Sequence, residues 1–264
     1  MDRKEDSQTM SQPSNSRASL AADLRALGVG AGQVLMVHAA FRSVGWTEGG
    51  PATLIRALQD VLGPRGTLVM PAASPQLGRV AGSGSQPDEM FDPAQTPTQM
   101  GYLAETFRQW PETLRSDHPL ESVCARGAKA AEIVADHATV FCEGAGTPFE
   151  KLYTLDGWTL LLGVGFNRCT SLHYAEFLSP RRRTIRHDLP LMQDGKPGWV
   201  TVSDMAADNS THFLQVGARF VASGAVRSGR IGSAPCLLFS TRAMVACAVP
   251  YFNASLDAPR SKDA

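Results

Sequence analysis

The sequence predicts an α/β fold: one domain in which a central, largely parallel or mixed sheet is flanked by helices. Three observations predict it. The apolar runs 34–37, 67–70 and 158–162 are bounded by glycine, proline or loop formers and are too short for ordinary helices, so they read as buried strands. Between the first two, Leu54, Ile55, Leu58, Val61 and Leu62 follow Pro51 at helical spacing, the pattern of a helix packed on a sheet. The chain is 43% hydrophobic over 264 residues with no linker dividing it, enough for one substantial core.

Taken in order, residues 1–18 are a polar tail without the apolar centre of a signal peptide. Ser19 caps a helix over 19–27 in which Leu20, Leu24 and Leu27 recur, and Gly28 stops it. The strand 34–37 ends at His38, a loop of small residues follows, and the Pro51 helix leads through a Gly-Pro-Arg-Gly turn to the strand 67–70. Such a β-α-β unit places its strands parallel, with a right-handed crossover. His38 and the loop after Met70 then line one crevice at the carboxyl ends of the strands. Residues 73–99 are crowded with loop formers and read as a functional flap.

Helices are expected over 101–110, 128–136 and 148–153, with a strand at 122–125. The strand 158–162 meets Gly163 and Gly165, which permit a sharp turn, and a helix over 172–178 capped by Thr170 or Ser171. Strands at 184–189 and 199–202, a helix at 211–223, a strand at 236–239 and a helix or strand at 244–249 complete the domain, 19–257; residues 258–264 are a C-terminal tail.

Charge narrows the function. Lys plus Arg and Asp plus Glu both number 25, which gives no reason to expect nucleic acid as partner. Five cysteines without a close pair imply reduced thiols in a cytoplasmic protein, and no apolar run reaches the roughly 18–20 residues of a membrane span.

The chemistry-bearing positions are His38 at a strand end, His118 in a Pro-bounded turn, and His173 at a helix start with Glu176 three residues on, sharing its face. His137, His187 and His212 sit in polar settings and read as solvent-exposed. Asp88, Glu89, Asp92, Glu176, Asp204 and Asp208 are the carboxylates that could orient a histidine or attract a cation. No HxH or HExxH spacing is present, so no metal is expected. Cys169 beside the helix start is a candidate nucleophile. The residues alone lead to an α/β enzyme with a His-centred crevice.

Six segments, 37–46, 63–72, 91–111, 115–127, 152–165 and 170–177, together resemble the aminoglycoside 3-N-acetyltransferases, in the same order and at similar separations. The resemblance implies the antibiotic N-acetyltransferase fold, acetyl-CoA as cosubstrate, an aminoglycoside amine as acceptor, and a monomer or homodimer. It implies His173 as general base and Thr170 as a hydroxyl near the thioester carbonyl. It makes His38 and residues Ala40, Phe41, Arg42, Ser43 and Val44 the wall for pantetheine and pyrophosphate, with Ser116 and His118 on the opposite side. Asp204 or Asp208 is the carboxylate that partners the histidine or grips substrate, with Glu176, Asp92 and His118 also toward substrate. Ala40 and Cys169 depart from the family's usual Ser and Asn. Rival readings are an acyl-CoA N-acyltransferase for another amine, a non-catalytic CoA-binding module, and a Cys169-dependent hydrolase.

Overall fold

The computed structural model describes residues 14–77, 79–80, 90–137, 140–193, 196–207 and 209–256. In chain order these form α1 (Arg17–Leu27), β1 (Val34–Ala39), α2 (Pro51–Leu62), β2 (Thr67–Pro71), β3 (Arg79–Val80), α3 (Tyr102–Arg108), β4 (Leu114–Arg115), β5 (Val123–Gly127), α4 (Ala130–Val134) and α5 (Pro148–Thr154). There follow β6 (Trp158–Leu162), α6 (Ser171–Phe177), β7 (Thr184–Gln193), β8 (Lys196–Met205), α7 (Leu214–Ala222), β9 (Arg227–Ile231), β10 (Ala234–Ser240) and α8 (Thr241–Ser255). No described helix is long and apolar enough to cross a membrane.

A seven-stranded sheet of order β4-β5-β2-β1-β6-β10-β9 forms the centre. β1 pairs parallel with both β2 and β6, whereas β5, β4, β10 and β9 are joined antiparallel. The sheet is therefore mixed, with its parallel part confined to the middle. Alternation along these strands explains why helices cover both faces. Leu35, Val37, Leu68, Leu160 and Leu162 pack with Leu24, Leu54, Leu58 and Phe107 on one side. Met36, Val69 and Leu161 pack with Phe149, Leu172, Phe213, Phe239 and Phe252 on the other. A second, antiparallel sheet, β3-β7-β8, stands apart from the first and carries the long β7–β8 hairpin.

Several sequence expectations are revised. The cap of α1 is Ser16, whose Oγ accepts from the Ser19 N–H while Ser19 Oγ accepts from the Ser16 N–H, a reciprocal box that outcompetes a Ser19 cap. Order also begins before residue 19: Asn15 donates its backbone N–H to the Trp46 carbonyl at 2.9 Å and its amide to Val44 O at 2.8 Å. Thr170 occupies the position before α6 with helical φ and ψ and makes no capping bond, and Ser171 lies within the helix. The 244–249 segment resolves as helix α8, whose Pro250 faces solvent, where water can satisfy the displaced carbonyl. β9, with its Ser-Gly-Arg composition, carries no strand signal in the sequence; pairing with β10 creates it.

Candidate active site

Because β1, β2 and β6 run parallel, their carboxyl ends open on one side of the sheet. A cleft of about 780 Å³ lies there, lined by His38 and Ala39 from β1, Pro71 from β2, and Val164, Asn167, Arg168 and Thr170 after β6. Ile185 of β7 and Asp204 of β8 close it from the second sheet, and His173, Glu121 and Glu143 complete the wall. The turn after β6 depends on Gly163. Its φ is 66°, and a Cβ there would meet Ser43 Oγ at 1.8 Å, so only glycine lets β6 lie against the 3-10 turn Phe41–Val44 that follows β1.

His173 is nearly buried, edge-on to Phe213 with ring centroids 4.7 Å apart. Its Nδ1 lies 3.1 Å from Oε2 of the fully buried Glu176, one helical turn on. The other oxygen of Glu176 accepts the Ala207 N–H at 3.0 Å. A carboxylate on Nδ1 selects the tautomer protonated there, which makes Nε2 the basic atom. Glu176 is thus the histidine's partner, in place of Asp204: Asp204 reaches His187 Nε2 at 3.4 Å and contacts Glu143. Sequence alone leaves that choice open among Asp204, Asp208 and Glu176, because helical spacing does not say whether a neighbouring carboxylate turns toward the ring. Asp208, like Asp88 and Glu89 of the expected flap, lies outside the described residues.

Other candidates separate. His38 lines the cleft, and burial pushes its pKa down to about 4, so it is a neutral wall residue. Ala40, Phe41, Arg42, Ser43 and Val44 form the adjoining turn rather than the cleft lining itself. Ser116 and His118 are fully buried behind the cleft and touch no open space, because their loop folds in on itself. Asp92 is exposed and caps a local turn, its Oδ1 accepting the Ala94 N–H at 2.7 Å. His137, expected in solvent, is buried and stacked on His118 at 4.4 Å. Cys169 is fully buried against Met244, and burial pushes its thiol up to about 12, which removes the basis for a thiolate nucleophile.

Sequence reasoning missed Glu121, Glu143 and Arg168. Glu143 is buried, and its Oε2 has no hydrogen-bond partner among the described residues. Burial and the nearby Asp204, Glu121 and Glu176 hold its carboxyl well above the ordinary carboxylate range. Burial, and then Asp204, likewise push Glu121 up. Cys142, Glu143 and Asp204 bring potential ligand atoms within 4.8 Å of one another, a grouping no sequence spacing announced because they come from a loop and a distant strand. The cleft is therefore polarised: carboxyl groups on one wall, the exposed Arg168 guanidinium on another, and His173 on the lining between the β6 turn and β8.

The raised Glu143 carboxyl has a consequence for stability. Above about pH 4.3, where a glutamate in an unfolded chain ionises, the folded protein retains a proton that the unfolded chain releases, so stability falls as pH rises. Glu143→Gln removes this penalty. Its melting temperature is expected to match wild type near pH 4.5 and to exceed it by roughly 3 °C or more at pH 8. Thermal scans across that range check it, and a pH-independent difference would count against it.

The family model described as aminoglycoside 3-N-acetyltransferase matches residues 36–253. The SPbeta prophage-derived aminoglycoside N(3')-acetyltransferase-like protein YokD of Bacillus subtilis (strain 168) is 35% identical over 250 residues, covering 89% of this chain and 92% of its own. Aminoglycoside N(3)-acetyltransferase III of Pseudomonas aeruginosa is 34% identical over 256 residues, covering 90% and 94%. Among solved structures, AAC-IIIb in binary complex with CoASH superposes with a TM-score of 0.84 at 35% identity, covering 94% of this chain and 99% of that one. With the cleft at the same sheet edge that sequence and fold both single out, this chain belongs to the aminoglycoside 3-N-acetyltransferase family.

Proposed function

We propose that this protein transfers the acetyl group of acetyl-CoA to the 3-amino group of the deoxystreptamine ring of aminoglycosides, with His173 as general base. The observation that carries the reading is the polarised cleft with a carboxylate-oriented histidine on its lining. Acetyl-CoA is an anion and an aminoglycoside a polycation. Arg168 on the lining suits the phosphates, and Asp204 suits an ammonium group, joined by Glu121 and Glu143 when a bound ammonium displaces the protons that burial holds on them. The part of the cleft between Ala39 and Val164 suits a pantetheine arm, and the CoA-bound relative supports that cosubstrate. A reaction drawing on acetyl-CoA belongs in the cytoplasm.

The acceptor amine needs a free lone pair before it can attack. Nε2 of His173 takes its proton while Glu176 holds Nδ1–H and stabilises the imidazolium that forms. The amine nitrogen bonds to the thioester carbon and sheds its second proton to solvent, and the tetrahedral intermediate collapses by breaking the C–S bond, the CoA thiolate accepting the proton held by His173. The Thr170 hydroxyl, on the cleft lining and unused as a helix cap, donates to the developing oxyanion. Both substrates are present together, and no acetyl-enzyme forms.

Thiol release from acetyl-CoA in the presence of gentamicin- and kanamycin-type amines tests the assignment. Aminoglycoside-dependent release, with one acetyl group added to the antibiotic by mass spectrometry, is expected. The aminoglycoside KM is expected to rise with ionic strength, since its contacts are charge pairs at an open cleft. Release that no aminoglycoside stimulates overturns the reading.

A further inference from the structure

The fully buried His118 and nearly buried His137 lie behind the cleft and touch neither proposed substrate. Their rings stack at 4.4 Å with 25° between planes. A polar pair in such a place needs a reason, the more so because His118 Nε2 has no hydrogen-bond partner among the described residues.

The hydrogen bonds assign each ring its tautomer. His118 Nδ1 accepts the backbone N–H groups of Leu120 at 3.2 Å and of Glu121 at 2.9 Å, so Nδ1 is unprotonated and the proton sits on Nε2. His137 Nε2 lies 3.3 Å from the Cys142 carbonyl, which only accepts, so Nε2 carries that ring's proton. His137 Nδ1 is then an acceptor for the Ser116 hydroxyl at 2.9 Å, while the same oxygen accepts the Val123 N–H at 2.9 Å. Both imidazoles are neutral: burial lowers the pKa of each, and for His118 the adjacent His137 adds to the effect.

The contacts these rings make to backbone all end at, or next to, a cleft carboxylate. His118 fixes the peptide N–H of Glu121; His137 fixes the carbonyl of Cys142, the residue before Glu143. Ser116 ties both to the β4–β5 loop. We propose that His118 and His137, joined through Ser116, are positioning residues that hold the backbone beneath Glu121 and Glu143 and so aim both carboxyl groups at the aminoglycoside. This rests on the assignment of the acidic wall to that substrate. It also accounts for the otherwise costly unpartnered Nε2, since the ring is retained for its Nδ1 acceptor.

The test compares Glu121→Gln, His118→Ala and His118→Asn in steady-state kinetics with both substrates varied. Asparagine's Oδ1 occupies nearly the place of histidine Nδ1 and restores the acceptor. Glu121→Gln and His118→Ala are each expected to raise the aminoglycoside KM about tenfold, with the acetyl-CoA KM and kcat little changed, and His118→Asn to recover most of the loss. If Glu121→Gln raises that KM but His118→Ala leaves it unchanged, or moves both KM values alike, the positioning inference is overturned and the acidic wall stands. If Glu121→Gln changes nothing, the acidic wall falls and takes the inference with it. Should His118→Ala not fold, Ser116→Ala, which cuts His137 from the loop, is read by the same split, and an unchanged aminoglycoside KM again overturns the inference.

Discussion

Replacing His173 by alanine is expected to lower kcat at least about a hundredfold while CoA binding stays measurable by calorimetry. The direction follows from the chemistry of acyl transfer to an amine, since an ammonium has no lone pair and the cleft lining presents one histidine oriented by a carboxylate. His38 is no substitute, because burial leaves it with too little affinity for a proton and its Nε2 has no partner among the described residues. The size of the effect is set by what a positioned base contributes over solvent, about 10² to 10⁴. The side of the cleft proposed for CoA is lined by Ala39 at the end of β1 and Val164 after β6, so removing the ring leaves that wall standing. Calorimetry with CoA beside turnover measurements separates the two, and near-normal turnover would remove His173 from the mechanism.

Glu176→Gln is expected to lower kcat by about ten-thousandfold, the scale seen when an orienting carboxylate becomes an amide and the histidine takes the wrong tautomer. The native carboxylate accepts twice, from His173 Nδ1 at 3.1 Å and from the Ala207 N–H at 3.0 Å. A glutamine has only one acceptor oxygen. If it faces Ala207, its NH₂ meets the ring and holds Nδ1 unprotonated, which places the proton on Nε2. If it faces the ring, the Ala207 N–H opposes a donor, and the cleft wall at Ala206 and Ala207 shifts. Turnover and the acetyl-CoA KM distinguish this from general damage: kcat should collapse with the acetyl-CoA KM nearly intact. A glutamine variant that keeps wild-type kcat would show that orientation of the ring needs no charge.

How much of this is legible in the chain depends on the range over which each signal acts. The parallel pair β1–β2 with α2 between is readable, because alternation and helical spacing report which side chains share a face. His173 with Glu176 is readable as a pair for the same reason. The edge strands β4 and β9 are not, since β4 spans only two residues and β9 carries little intrinsic strand preference and exists by pairing with β10. His118 illustrates the converse error. A histidine in a Pro-bounded turn reads as a candidate facing the cleft, yet the β4–β5 loop turns inward and buries it completely. Its role lies in the backbone it holds.

The amino-acid pattern by itself determined an α/β chain with buried central strands, a glycine-enforced bend after β6, and a histidine and a glutamate on one face of the helix that follows. Only the tertiary structure decided that Glu176 turns to His173, that Cys169 is sealed away, and that Glu121, Glu143 and Asp204 meet on one wall. The physical reason is separation along the chain. Spacing of three or four residues is set by the helix and can be counted, whereas residues 121, 143 and 204 come together only when the β7–β8 hairpin closes over the sheet edge and packs Leu189 and Val202 against Leu120 and Cys142.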